Sequence, residues 1–363
     1  MPETGALTGG KGEQMKKPSL ASRVTLSDVA KDTKLSIAAV SMALRGGSGV
    51  SSATRGKVKQ SADRLGYIYD RSAALLRTGR SNTVGIVVGT ISSSFFGNLV
   101  TGVDEVIGEA QKISFLLNTR EDPDRQNDLL TRMREQSVDG MILCPAPGTS
   151  RHLLETMDAW NIPVVQMMRS VSEIKGDFVS ADYQSGIEAL CAHLIRLGHT
   201  KIAFVGGAME HSATRQRIKG FQIALERANL QADRIFRATN DSRGGRSAAT
   251  ELLALDNPPT AMVCFNDYVA MGAMAGVRAA GLVPGRDIAV AGFDNIDAGA
   301  EAYPALTTVE THGQEIGREA GELLLRRIAD PKMPTESIII PTRLVIRQSC
   351  GADLAGESAL SWR

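Results

Sequence analysis

The residue types able to do chemistry are scattered along this chain of 363 residues, and their spacing excludes most reactions. The five histidines (His152, His193, His199, His211, His312) show no metal-ligand spacing, and His193 and His199 read as flanking a helix end. The four cysteines (Cys144, Cys191, Cys264, Cys350) lie far apart with no CxxC pair, so zinc ribbons and redox motifs are unsupported. Three sit in or near apolar runs and read as buried thiols, and reduced thiols fit a cytoplasmic protein. No GxxxxGK[ST], GxSxG, HExxH or strand-linked GxGxxG occurs, so no metal, cofactor or catalytic residue is expected. What the hydroxyls and carboxylates can do is finish helices. Thr25 with Asp28 forms a variant capping box, and Ser36 and Ser51 are N-cap residues.

Those caps predict three short helices within 23–68: one after Thr25, one from Ile37 to about Arg45, and one from Ser52 to Leu65 stopped by Gly66. Leu26, Val29, Ala30, Leu35, Val40, Leu44, Val58, Ala62 and Leu65 would form their core, giving a helix-turn-helix unit. From Thr83 the pattern changes to apolar, β-branched runs (TVGIVVGT, ISFLLN, VDGMILC, IPVVQMM, DFVSA, KIAFVGG, TAMVCF, DIAVAGF) alternating with amphipathic helical stretches. That alternation predicts parallel sheets with covering helices. About ten strands exceed one convenient sheet, so the fold class is an all-α headpiece plus an α/β core of two doubly wound subdomains. The ligand crevice of such sheets lies at the carboxyl ends of the strands.

The resulting boundaries are a tail at 1–22, a DNA-binding unit at 23–68, a hinge at 69–82, a core at 83–350 and a short tail at 351–363. The core divides into one subdomain of about 83–181 and 310–332 and another of about 182–309 and 333–350. Charge supports the division. The chain's net charge is only +1, yet residues 1–80 hold 14 Lys/Arg against 6 Asp/Glu, and the remainder hold 27 against 34. A basic arm on an acidic body points to nucleic acid. The amino terminus lacks the apolar core of a secretory signal and no run is long enough to span a bilayer, so a soluble cytoplasmic protein without a membrane partner is expected.

Residues 24–88 resemble the amino-terminal signature of the lactose-repressor (LacI) family at Thr25, Asp28, Val29, Ala30, Ser36, Val40, Ser41, Leu44, Val50, Ser51, Thr54, Arg55, Val58, Leu65, Gly66, Tyr67, Ala73, Leu76 and Gly85. The likeness continues through SSSFF, VDGMIL, IPVV, RIKGF, CFNDYVAMGAM, VAGFDN and LTTV, to about residue 350. It implies a DNA-binding headpiece, a hinge helix and a two-lobed effector-binding core resembling periplasmic sugar receptors.

For DNA, the resemblance implies that helix 37–45 enters the major groove with Ile37, Ala38 and Met42 facing base edges, beside Leu26, Ala39 and Arg45. The three facing residues are apolar, which leaves contact with thymine methyls rather than bidentate readout. Thr25, Ser36, Ser41, Ser51, Thr54 and Tyr67 would bind phosphates and set register. Lys34 stands where the family usually has Gly in the turn. In the hinge, Leu76 would wedge into the minor groove, with Ala73 and Arg77 alongside; otherwise Leu75 and Leu76 pack a linker helix on the core.

For the effector, the resemblance implies Arg217, Asn266 and Asp294 as polar pocket positions and Phe95 and Phe96 as an aromatic pair. Met168 and Asn240 occupy positions where members often carry Asp and an aromatic, so no particular sugar carries over and an acid paired with Arg217 stays open. Phe95 and Phe96 also fit ordinary helix-start packing, and Arg217 a surface salt bridge.

The expected function is a transcriptional regulator, most simply a repressor, acting as a homodimer on a palindromic operator under control of a sugar or related metabolite. The rivals are a small-solute receptor without DNA function, an enzyme on the α/β body, and a three-helix protein-interaction module.

Overall fold

The computed structural model describes residues 24–44, 49–68, 80–171 and 176–352. They fall into two compact units, divided before Arg80.

The first unit is three helices, α1 (Leu26–Thr33), α2 (Ile37–Leu44) and α3 (Ser52–Leu65). Each begins at its expected cap. The Thr25 amide and hydroxyl donate to Asp28 at 2.9 and 2.7 Å, Ser36 Oγ accepts from the Ala39 amide at 3.1 Å, and Ser51 Oγ accepts from the Thr54 amide at 3.2 Å. Lys34 closes α1 in the left-handed region at φ 58°. Its backbone serves there as the helix's C-cap, the role that usually falls to glycine. Lys57 Nζ then donates to the freed Thr33 carbonyl at 3.0 Å. Val29, Ala30, Val40, Ala43, Val58 and Ala62 form the core, with Leu26, Leu35, Leu44 and Leu65 packed against it.

The second unit opens with β1 (Thr83–Val88), α4 (Ser94–Glu109), β2 (Ile113–Asn118), α5 (Pro123–Glu135), β3 (Gly140–Leu143), α6 (Arg151–Ala159), β4 (Val164–Met167) and β5 (Asp177–Ala181). It continues with α7 (Tyr183–Arg196), β6 (Ile202–Val205), α8 (Ser212–Arg227), β7 (Ile235–Phe236), α9 (Ser242–Leu253), β8 (Ala261–Cys264), α10 (Asp267–Ala279), β9 (Ala289–Ala291) and α11 (Asp297–Ala300). Then come β10 (Thr308–Glu310), α12 (Gly313–Ala329), β11 (Ser337–Ile340) and β12 (Arg343–Val345). Two parallel sheets result, in the orders β11-β5-β4-β3-β1-β2 and β7-β6-β8-β9, with β10 and β12 as a separate antiparallel pair. The inner strands are buried and largely apolar because helices cover both faces, with Gln166 in β4 and Asp177 and Ser180 in β5 as buried polar exceptions.

The chain passes between lobes at Asp182, which caps α7 by accepting from the Ser185 amide at 3.0 Å. It returns after β10, and α12 packs on β3, β4 and β5. The expected second division at residue 333 is corrected: β11 pairs in parallel with β5, Ile338 opposite Val179, so the first lobe runs through Ile340. A short SIII run carries no mark of which sheet it joins; only its pairing decides. Three helices were not anticipated, α6, α9 and the one-turn α11. The second contains Gly244-Gly245, poor helix formers. A Cβ at Gly245 would lie 2.0 Å from the Val269 carbonyl oxygen of α10, so the two helix backbones touch there and require glycine.

Candidate functional site

On the headpiece, α2 buries Val40 and Ala43 and turns Ile37 (52% exposed), Ala38 and Met42 (38% exposed) outward. An exposed apolar face on so short a helix is unfavourable in water and suits contact with base methyl groups. Leu26 packs into the core and Ala39 is half-buried, so both sit behind that face. Ser36 Oγ accepts from a backbone amide and keeps its proton for an acceptor such as phosphate; Ser51 Oγ also accepts from an amide, and its hydroxyl shares one hydrogen bond with Thr54, which leaves that pair one proton to give. Thr54 Oγ1 lies 2.9 Å from Ser51 Oγ, and Ser41 and Tyr67 are half-buried. Arg45, Ala73, Leu76 and Arg77 lie outside the described residues.

In the core, the expected polar positions gather where the lobes face each other. Arg217, on α8, is 2% exposed. Its guanidinium lies over the rings of Tyr183 (4.0 Å), Phe293 (4.5 Å) and Phe265 (4.6 Å). Its hydrogen bonds are long: Nη1 to the Ala213 carbonyl and Nη2 to Asp294 Oδ1, both 3.4 Å, with Nε unpartnered. Burial weakens both charges of this pair. It lowers the Arg217 pKa and raises that of Asp294 to about 8 against the guanidinium's pull, with Asp267 and Glu310 adding repulsion.

Asn266 and Asn240 shape the crevice more than they point into it. Asn266 Oδ1 caps α10 by accepting from the Val269 amide at 2.9 Å, and its Nδ2 donates to the Asn240 carbonyl at 3.2 Å. Asn240 Oδ1 accepts from the Gly207 amide at 2.7 Å. Phe95 and Phe96 start α4, buried and edge to face at 6.0 Å, within the core. Met168 is buried at φ 65°, its carbonyl accepting from Ser180 Oγ.

Four participants were not anticipated. Arg169, one residue past Met168, is 6% exposed. It donates through Nη1 and Nη2 to Glu121 Oε2 and Oε1 at 2.5 and 3.1 Å, and its Nε is unpartnered. Glu121 sits at φ 61°, and its carboxylate occupies the space where a Cβ of Gly89 would be, 2.2 Å from Oε1. His211 caps α8 and meets the Phe265 ring at 6.0 Å. Burial, with Arg169 and Arg217 adding to it, pushes its pKa down to about 2, so it is neutral. Tyr183 supplies the ring nearest Arg217. An arginine directly after an apolar strand was the one available signal for this cluster.

The lobes also bond directly. The Ser94 amide donates to the Tyr268 hydroxyl at 3.0 Å, and the Ser170 amide donates to Ser212 Oγ at 2.9 Å. A separate pocket of about 660 Å³ lies at the opposite, amino ends of β4 and β5, around Met157, Gln166 and the Asp177–Arg327 ion pair.

Residues 25–70 match the family described as bacterial regulatory proteins, lacI family, and residues 191–350 match the periplasmic binding protein-like domain. The chain is 30% identical over 333 residues to the HTH-type transcriptional regulator DegA of Bacillus subtilis, covering 90% of this chain and 98% of that one. It is 29% identical over 327 residues to the HTH-type transcriptional repressor PurR of Aliivibrio salmonicida, again covering 90% and 98%. Among solved structures, the lac repressor dimer bound to operator and the anti-inducer ONPF matches with a TM-score of 0.84 at 24% identity, over 91% of this chain and 100% of that one.

Proposed function

The chain belongs to the LacI family of bacterial regulatory proteins, and from that premise we propose how its parts divide the work. It is a sequence-specific DNA-binding transcriptional regulator whose operator affinity a small molecule controls, and the reading assigns it no catalytic step. The headpiece reads DNA in the cytoplasm through Ile37, Ala38 and Met42, while Ser36, Ser51 and Thr54 fix its register on phosphates; Thr25, whose two donors are taken by Asp28, acts as the cap of α1. Two copies present two headpieces to a palindromic site.

The core is the sensor. The observation that carries this is Arg217: a guanidinium with five donors, fully buried, making only two long hydrogen bonds under three aromatic rings. Such a group is costly unless something supplies acceptors. A sugar or related metabolite does so, its hydroxyls on the fork and its ring against the aromatics. Binding holds the lobes together, and the change reaches DNA affinity by reciprocal coupling.

The test is operator binding by mobility shift, using fragments selected from genomic DNA, across a salt series and with effectors found by thermal-shift screening. A steep fall of affinity with salt and a shift with at least one stabilising metabolite are expected. Salt-insensitive binding, or none, removes the regulator reading in favour of a solute receptor.

A further inference from the structure

The cleft brings two guanidinium groups together from opposite lobes. Arg169 follows β4 in the first lobe, and Arg217 stands on α8 in the second. The Ser170–Ser212 hydrogen bond ties the neighbour of Arg169 to the first turn of the helix that carries Arg217. Both arginines are nearly fully buried, each weighs electrostatically on His211, and the Nε of each has no partner among the described residues.

The two are unequally compensated. Glu121 holds Arg169 through two hydrogen bonds, in a seat cleared by Gly89. Arg217 meets Asp294 through one contact of 3.4 Å, and burial raises that carboxylate's pKa to about 8. His211 cannot compensate either charge, and the α8 amino terminus adds positive potential. Closing the lobes therefore brings together two guanidinium groups, one seated on a carboxylate and the other poorly paired. Like charges in a buried site repel strongly, and an anion between them reverses the sign.

We propose that the effector carries a negative group, a carboxylate or a phosphate, which bridges the free edges of Arg169 and Arg217 and so favours the closed lobes. Arg169, seated by Glu121, is then the residue that selects an acidic metabolite over a neutral polyol. This rests on the core being the sensor of a DNA-binding regulator.

The experiment follows thermal unfolding of the full chain in inorganic phosphate and in D-gluconate, against chloride at equal ionic strength and against neutral D-glucitol. One or both anions should raise Tm above both controls, by roughly 3–6 °C at tenfold saturation. Which anion acts tells phosphate from carboxylate. The rise should vanish in the charge-balanced double variant Glu121→Gln/Arg169→Gln. Arg169→Lys, which keeps the charge and loses the second edge, should reduce it, and serves if the double variant does not fold. A rise with D-glucitol equal to that with the anions, no anion exceeding chloride, or an undiminished rise in both variants overturns the proposal. If operator binding persists with normal salt dependence in those cases, only the acidic ligand falls; if it is absent, the underlying reading falls as well.

Discussion

Tyr268, in the first turn of α10, accepts a hydrogen bond from the amide of Ser94, in the first turn of α4, at 3.0 Å, and its oxygen lies 3.1 Å from Ser94 Oγ. The two residues are far apart in sequence and belong to different lobes, so the tyrosine hydroxyl satisfies an orphan amide at a helix start only while the lobes are closed. Tyr268→Phe removes the acceptor and keeps the ring. A neutral hydrogen bond is worth about 1 kcal/mol, so the opening equilibrium should shift about fivefold. Hydrogen exchange at the Ser170 amide, which donates to Ser212 Oγ across the same lobes and keeps its acceptor in the variant, should accelerate by that factor. An unchanged rate would mean that the bond does not hold the lobes.

Lys34 invites a gain rather than a loss. Its φ of 58° costs a side-chain-bearing residue about 1–2 kcal/mol, and glycine escapes most of that at an entropic cost of about 0.5–1 kcal/mol. Lys34→Gly should therefore stabilise the headpiece by roughly 0.5–1 kcal/mol, seen as slower exchange of the α1 and α3 amides. A loss of protection would show that the Lys34 side chain contributes more than its backbone costs.

Most of the headpiece was legible because its signals are local. Thr25, Ser36 and Ser51 each cap within three residues of themselves, and every expected core residue packs where its spacing put it. The parallel strands other than β7 and β11 were legible from their apolar runs. Three things were not. The helix through Gly244-Gly245 contradicts local propensity because close approach of α10, a tertiary fact, selects glycine there. The partner of β11 is set by pairing across a sheet. The Glu121–Arg169 pair joins residues on different strand ends, and its seat depends on Gly89 lacking a Cβ. Arg217 was placed by resemblance, whereas its poor hydrogen bonding and its three rings exist only in the fold.

Burial raises the pKa of Asp267 to about 7 and of Asp294 to about 8. The unfolded chain releases these protons near the ordinary value of 3.8, whereas the folded chain keeps them. Their contribution is thus fully present below about pH 4 and lost as pH rises toward 8. His199 and His211, held by burial at about 4 and about 2, act oppositely, costing stability as pH falls below 6.5. Above pH 6.5 the acids act alone. Tm should decline from there to pH 8, with a limiting slope of about 1.4 kcal/mol per pH unit for each retained proton. Asp294→Asn should flatten that limb; a variant with the wild-type slope would place the titration elsewhere.

The outer strand β2 should be an interface between two copies. It is the edge of the six-stranded sheet, bonded to β1 alone, and it leaves Ile113 (46%), Phe115 (39%) and Leu116 (49%) exposed. Successive side chains point to opposite faces, so Phe115 and Leu116 expose apolar surface on both sides of an open edge. Soluble proteins blunt such edges with charge or cover them, since they invite uncontrolled association. In the homodimer proposed above, a second copy of the chain would cover the edge and supply the second headpiece that a palindromic site requires. The double variant Phe115→Asp/Leu116→Asp should halve the mass measured by light scattering. It should also weaken operator binding far more than effector binding, because the two headpieces no longer act at one effective concentration. Wild-type mass in the variant would move the interface to another face.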